Sequence, residues 1–217
     1  MPGKNKTYLK PQSTDRKRNR QIDRLPVNQR FLIVCEGEKT EPNYFRKFRA
    51  PGQVIKIEHV NQNTIRLVEE AIRLRDKDGD FDQTWCVFDK DDFPPDDFNN
   101  AIHHAEANSV QVAYSNQAFE LWYVLHFAFM QNAISRQDYA RFLEKQLKHA
   151  YTKNSETIFD ELLLRLPDAI RNANRLLAQY EPGNPARNDP STRVQLLVEK
   201  LKPFTASFNT RGQKDQV

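Results

Sequence analysis

The sequence predicts an α/β protein: a parallel sheet with helices on both faces, followed by an all-helical C-terminal extension. Two observations support this fold class. Between residues 30 and 116, short runs of strand length alternate with segments of helical periodicity, and such alternation is typical of a parallel sheet. After residue 116, only helical patterns occur.

Four runs predict the strands of the sheet. FLIVC at 31–35 is continuously apolar, as expected for a strand that is buried on both faces. VIKIEHV at 54–60 alternates between apolar and polar residues, which indicates a half-buried strand. WCVF at 85–88 is a second apolar run, and residues 110–114 form the fourth strand.

Three segments between these strands have the spacing of amphipathic helices. Thr40 is expected to cap the first of them, since its hydroxyl can accept from a free backbone N–H. The residues that define the three apolar faces are Tyr44, Phe45 and Phe48; Ile65, Val68, Ala71 and Ile72; and Ala101, Ile102 and Ala105.

The C-terminal half reads as a series of helices. The segment 117–129 is strongly apolar, and a capping-box pattern at Ser135 opens a helix that continues to residue 147. The segment 158–180 predicts one or two helices with an interruption at Pro167. Thr192 is expected to cap a last helix that ends near residue 201.

Charge and composition divide the chain into four parts: a basic disordered arm (1–28), an α/β core (29–116), a helical extension packed on the core (117–205) and a flexible tail (206–217). The first 30 residues hold nine Lys and Arg against two Asp, although the whole chain carries only +4. A cationic arm is suited to binding phosphate backbones. The alternative is a solvated tail without a partner. The expected nucleic-acid contacts are Lys4, Lys6, Lys10, Arg16, Lys17, Arg18 and Arg20.

Several classes of protein are excluded by the composition. Cys35 and Cys86 are the two cysteines, and they form no CxxC pair, so a disulfide scaffold and a zinc ribbon are ruled out and a cytoplasmic location is expected. The sequence contains no apolar stretch of the ~20 residues that a membrane span needs. It also lacks the GxxxxGK[ST] loop of nucleotide hydrolases.

Acidic residues follow two of the predicted strands. Glu36 comes directly after the first strand, and Asp89, Asp91 and Asp92 follow the third. Converging carboxylates at strand ends suit Mg²⁺ or Mn²⁺, and Glu36 would face Asp89 and Asp91 if the two strands are neighbours. Gly37 would let a ligand approach the backbone closely. The alternative is that acids follow strands only because loops are polar.

Four further residues are candidates for the same site. Glu38 or Glu120 could complete the ligand shell or orient a water, and Lys39 and Lys90 could hold phosphate oxygens. Alternatively, Glu120 pairs with an arginine or occupies a solvent-facing helix position. Independently, the alternative for Lys39 is a surface residue near a helix start, and the alternative for Lys90 is a residue that partly neutralises the acids.

The motif IVCEGEKTEPNYF, followed by FDKDD, resembles the Toprim arrangement of topoisomerases, primases and related nucleases. Further segments resemble the RloB family: SNQAFELWYVLHF at 115–127, IRNANRL at 170–176 and NDPSTRVQLLVEKL at 188–201. The resemblance implies a Toprim-like core with a bound divalent metal and a nuclease role in anti-phage defence or abortive infection. It matches Glu36 to the strand-one acid and Asp89 and Asp91 to the acidic pair, and an ATPase encoded nearby fits it as a partner.

The first hypothesis is therefore a Mg²⁺- or Mn²⁺-dependent nuclease that hydrolyses phosphodiesters in RNA, such as tRNA, or in DNA. Glu36, Asp89 and Asp91 would hold the metal, and Lys39 would assist catalysis. Two alternatives remain open: a non-catalytic nucleic-acid-binding subunit of a defence complex, and a metal-dependent enzyme acting on a small phosphorylated nucleotide. No membrane partner is expected, and a homo-oligomer is compatible with the sequence.

Overall fold

The computed structural model describes residues 29–48, 54–60, 64–91, 94–180 and 183–202. The basic arm, the tail from residue 206 and Asp92 lie outside the described residues, and the division into four parts stays a prediction. Among the described residues, no helix combines the length and apolar character needed to span a bilayer.

The described residues form one five-stranded sheet of order β2-β1-β3-β4-β5. Its strands are β1 (Arg30–Cys35), β2 (Val54–His59), β3 (Gln83–Asp89), β4 (Gln111–Asn116) and β5 (Ser191–Thr192). The first four strands are parallel to one another, and β5 pairs antiparallel with the end of β4. The predicted α/β fold with a parallel sheet is thereby confirmed.

Helices cover both faces of the sheet, as the sequence predicts. α1 (Thr40–Phe45) packs on one face, where its aromatic residues join a core with the C-terminal helices. α2 (Thr64–Asp78) and α3 (Pro95–Ala107) pack on the opposite face against a second, smaller core. The strands β1 and β3 are buried on both sides because each contributes alternate side chains to the two cores.

The C-terminal part is mainly helical, and it packs on the α1 side of the sheet. It contains α4 (Glu120–Leu125), α5 (Arg136–Leu147), α6 (Ile158–Leu162), α7 (Leu166–Leu177) and α8 (Val194–Leu201). It also supplies β5, so the extension contributes one short strand to the sheet.

Of the three predicted helix caps, Ser135 is confirmed, Thr40 is wrong and Thr192 is correct in part. Ser135 caps α5, since its Oγ accepts from the backbone N–H of Asp138 at 3.2 Å. Thr40 is the first residue of α1 and not its cap; its hydroxyl donates to the carbonyl of Lys153 at 3.1 Å. Thr192 lies in β5 and donates to the carbonyl of Tyr114 at 2.9 Å, but its Oγ1 also accepts from the N–H of Val194, the first residue of α8, at 3.2 Å, although the residue directly before α8 is Arg193.

The interruption predicted at Pro167 falls just before that residue. A 3₁₀ turn at Leu163–Arg165 separates α6 from α7, and Pro167 lies in the first turn of α7. Proline is tolerated there because the first N–H groups of a helix have no partner within the helix.

The strand order reverses between β1 and β3. From β1 the chain crosses through α1 to β2 on one side, whereas from β3 it crosses through α3 to β4 on the other. In open α/β sheets, such a reversal leaves a crevice at the carboxyl ends of the two central strands, and ligands bind there. Glu36 and Asp89 stand at this crevice.

A candidate acidic site at the carboxyl ends of β1 and β3

Glu36 and Asp89 are joined directly across the two central strands. The backbone N–H of Glu36 donates to the carbonyl of Val87 at 2.9 Å and continues the ladder between β1 and β3. In return, Oε2 of Glu36 accepts from the backbone N–H of Asp89 at 3.2 Å. The adjacency of the first and third strands, on which the predicted pairing of these acids depended, is thus observed.

The Asp89 carboxylate is half satisfied. Its Oδ2 accepts from the backbone N–H of Phe119 at 3.1 Å, whereas its buried Oδ1 has no hydrogen-bond partner among the described residues. Burial, together with the negative charges of Glu41 and Glu120, raises the pKa of Asp89 well above its usual range, against the effect of the Phe119 N–H. The molecule therefore holds a carboxyl group where a carboxylate is costly.

Glu41 is a member of the cluster that the sequence reasoning did not single out. Its side chain is only 6% exposed, and its Oε2 has no partner in the described part of the chain. The carboxyl group lies against Gly37, where an added Cβ would collide with Oε2. Burial and the charge of Glu120 raise the pKa of Glu41, and Lys153 opposes this shift. Gly37 is thus needed for the close approach of Glu41.

Glu120 enters the same cluster from the start of α4. It is 7% exposed, and its Oε1 accepts from the hydroxyl of Tyr151 at 3.2 Å. The solvent-facing alternative for Glu120 is therefore wrong, and its hydrogen-bond partner is a tyrosine and not an arginine. Its charge contributes to the raised pKa values of Glu41 and Asp89.

The remaining member, Glu36, is balanced between opposing influences. Burial raises the pKa of Glu36 most, and the charge of Glu41 adds to this effect. The N–H of Asp89 and the guanidinium of Arg136 lower it. Four carboxyl groups from three segments that are far apart in sequence are therefore brought within electrostatic reach of one another.

Asp91 and Lys90 lie at the rim of this cluster. The Asp91 side chain is 38% exposed and forms an ion pair with Arg136, the first residue of α5. Its backbone has a positive φ of 44°, and its N–H donates to the carbonyl of Gln117 at 3.3 Å. Lys90 Nζ donates to the Asp91 carbonyl at 3.3 Å.

Glu38 and Lys39 are exposed and stand outside the buried cluster. Both line a cleft of about 240 Å³ that also includes Gly37, Glu41 and the loop at Lys153. Lys39 and Glu38 therefore lie beside the buried acid Glu41.

The C-terminal half supplies further residues that sequence reasoning missed. Asp189 accepts from the side-chain amide of Gln117 at 3.3 Å, and its other oxygen is buried without a partner among the described residues. Tyr139 is fully buried, and its hydroxyl has no partner in the part of the chain that the structure describes. Burial raises the pKa of Tyr139 most, and the charges of Asp189, Glu120 and Asp89 add to this effect. No local motif marks these residues, because each reaches the site through tertiary packing.

The donor set matches the chemistry of a hard divalent cation. Among the described residues, no three His, Cys, Asp or Glu side chains are arranged as a formed metal cluster. However, Mg²⁺ is commonly held by one or two carboxylates and retains several waters. A bound cation would give a partner to the buried oxygens of Asp89 and Glu41 that have none among the described residues. It would also reduce the mutual repulsion of the acids.

Comparison with known proteins gives one family. A family model described as RloB-like protein matches residues 31–201, from β1 to the end of α8. No curated protein and no solved structure matches the chain.

Proposed function

The chain belongs to the RloB-like family, and we propose that it is a Mg²⁺- or Mn²⁺-dependent phosphodiesterase that cleaves nucleic acid. One observation carries the proposal. Glu36 and Asp89 meet at the crevice between β1 and β3, together with buried carboxyl oxygens that have no hydrogen-bond partner among the described residues. Keeping several buried carboxylates ionised at neutral pH is costly unless a bound ligand compensates for their charge.

In this proposal, Glu36 and Asp89 hold the divalent cation, with Glu41 and Glu120 next to them. A cation bound there would screen phosphate charge and lower the pKa of a water. Burial raises the pKa of Glu41, which favours its protonated form relative to an exposed glutamate. The Tyr151 hydroxyl fixes the orientation of Glu120.

Asp91 is proposed as the outer member of the ligand set, as the family resemblance implies. Its ion pair with Arg136 places a guanidinium beside the acids, and the same charge lowers the pKa of Glu36. Arg136 therefore balances part of the negative charge in the metal-free chain. Lys39 and Lys90 are proposed to contact phosphate oxygens. The role in phage defence and an ATPase partner rest on the resemblance alone.

A second candidate is a non-catalytic nucleic-acid-binding subunit. The observation that favours it is the lack, within the described ranges, of a formed cluster of three metal-binding side chains. In that case the acids would be a degenerate site, and the basic arm would provide the affinity.

The test is an incubation of the full chain with tRNA, mRNA, single-stranded DNA, duplex DNA and free nucleotides in Mn²⁺, Mg²⁺ or EDTA. Glu36→Gln and Asp89→Asn should lower metal-dependent cleavage by about 10² or more. Asp97→Asn is the matched control, since Asp97 is an exposed acid on α3, on the opposite face of the sheet.

Cleavage that persists in Glu36→Gln and Asp89→Asn would overturn the proposal. Binding of nucleic acid without cleavage in any metal would favour the second candidate. Turnover of free nucleotides alone would point instead to a small phosphorylated substrate.

A further inference from the structure

The cleft beside the acidic cluster has basic side chains on two walls. Lys39 and Lys153 are both exposed and line this space of about 240 Å³ together with two acids, the exposed Glu38 and the buried Glu41. Neither ammonium group forms an ion pair within the described residues. The charge of Lys153 lowers the pKa of Glu41, which shows that Lys153 lies within electrostatic reach of the site. Acids and unpaired cations therefore meet along one continuous surface.

The loop that carries Lys153 is held in place on both sides. Thr40 and Asn43 of α1 donate to the carbonyls of Lys153 and Asn154 at 3.1 and 3.3 Å. On the other side, the Tyr151 hydroxyl donates to the buried carboxylate that opens α4. The backbone of this loop is consequently fixed relative to both α1 and the acids, so a ligand would not need to order it.

A second cleft of about 270 Å³ continues along α1, lined by Asn43, Arg46, Lys47 and Glu156. Asn43 joins the two clefts, because it also contacts the loop of the first one. Lys47 is neutralised by Asp160 at 2.8 Å, whereas the guanidinium of Arg46 donates to the neutral amide of Asn43 at 3.2 Å. Arg46 is exposed and is available to an anion in this second cleft.

We propose that the nucleic-acid backbone leaves the acidic site over α1, with one phosphate in the first cleft between Lys39 and Lys153 and a further one beside Arg46. This inference rests on the proposed function, since it assigns the substrate's path away from that same site. The charge of the cleaved phosphate would be neutralised by the divalent cation that the acids are proposed to hold, but its neighbours along the strand need protein cations. Lys153 and Arg46 are residues that no motif of the sequence marked.

The experiment measures equilibrium binding of the full chain to fluorescently labelled single-stranded RNA and DNA in EDTA, over a range of salt concentrations. Each of Lys153→Gln and Arg46→Gln should remove about 0.7 from the slope of log K against log salt. At about 0.1 M salt, that loss corresponds to roughly fivefold weaker binding. Lys153→Arg should restore both quantities because it keeps the charge.

Lys77→Gln is the matched control, since Lys77 is an exposed lysine on α2, on the other face of the sheet. It should leave affinity and slope unchanged. In a cleavage assay, Lys153→Gln should raise KM more than it lowers kcat, because the lysine that it replaces is proposed to contact a phosphate that does not react.

Two results would overturn the inference while leaving the proposed function in place: a Lys153→Gln protein that binds and cleaves like the wild type, or an equal loss of affinity in Lys77→Gln. A wild-type protein that neither binds nor cleaves any nucleic acid would instead remove the proposed function, and the inference with it.

Discussion

At the level of single residues, the acidic cluster should cost stability in the absence of metal. Burial raises the pKa values of Glu36, Glu41 and Asp89 in the folded state. A raised folded pKa favours the fold below the pKa of the unfolded chain, about 4, and this contribution is lost as pH rises through the folded values. In the metal-free protein, these three carboxyl groups therefore stabilise the fold less at neutral pH than at acid pH.

Asp89→Asn should therefore raise the free energy of unfolding at pH 7.5 in EDTA, and the gain should disappear near pH 4. In the wild type, Mn²⁺ at a hundredfold excess over Kd should stabilise the fold by about 2.7 kcal/mol, whereas the variant should not respond. Urea unfolding with Mn²⁺ and with EDTA measures both effects, with Asp97→Asn as the control. Superimposable wild-type curves in the two conditions would count against a metal site.

Asp91→Asn separates chemistry from architecture at the rim. Asparagine tolerates a positive φ, and the ion pair with Arg136 that the variant removes is partly exposed, so the cost in stability should stay within about 1 kcal/mol. Turnover should fall by about 10² if Asp91 is a ligand. Unfolding and cleavage measured on the same preparation test this, and full activity in the folded variant would remove Asp91 from the ligand set.

His126 gives the fold a pH dependence of the opposite sign. It is buried with Nδ1 2.9 Å from the Trp122 carbonyl oxygen, and burial lowers its pKa to about 4. The unfolded chain takes up this proton below about pH 6.5, so stability should fall between pH 6.5 and 4, by about 3 kcal/mol in total. The difference in free energy of unfolding between His126→Phe and the wild type should therefore shift in favour of the variant's folded state when the pH is lowered from 7.5 to 4.5. An equal difference at both values would contradict this assignment.

At the level of elements, the sequence predicts what is encoded locally. The apolar run 31–35 identifies β1, and the Ser135 cap identifies the start of α5, because both signals lie within a few residues. Glu41 lies close to Glu36 in the sequence, but its burial depends on Gly37 and on tertiary packing, which the spacing of residues does not reveal. Thr40 is the first residue of its helix and not the cap, and its hydroxyl donates to a tertiary partner, the Lys153 carbonyl. Thr192 joins the sheet through the Tyr114 carbonyl and still accepts from the first N–H of α8.

The short helix α4 should be an architectural element, even though it begins with a site residue. Trp122 is fully buried and packs edge-on against Tyr44 with ring centroids 6.4 Å apart. Trp122→Ala should cost about 3–5 kcal/mol, and low solubility should appear before any specific catalytic defect. Chemical unfolding measures the loss. A variant that unfolds like the wild type but has lost cleavage would place Trp122 in the chemistry instead.

At the level of the whole molecule, the site depends on parts of the chain that are distant in sequence. β1 and β3 place two of the acids, while the C-terminal half adds Glu120, Arg136 and the loop at Tyr151. From the sequence, the proximity of Glu36 and Asp89 could be predicted only on the assumption that β1 and β3 are neighbours in the sheet. The contribution of α5 and the later loop could not be predicted, since no local pattern indicates which helix end faces the crevice.

The charge asymmetry of the whole chain leads to a last prediction. Residues 1–25 hold eight of the 33 Lys and Arg and two of the 29 Asp and Glu, but none of the proposed ligands. Their deletion should weaken nucleic-acid binding and make its salt dependence shallower by up to about 0.7–0.9 for each phosphate that the arm neutralises in the intact protein, because fewer counterions are released. Turnover at saturating substrate should stay near wild type, which distinguishes the arm from the acids. Binding titrations at several salt concentrations, paired with cleavage at saturating substrate, measure both quantities. Unchanged affinity and slope would identify the arm as a solvated tail, and the binding energy would then have to come from the rest of the chain.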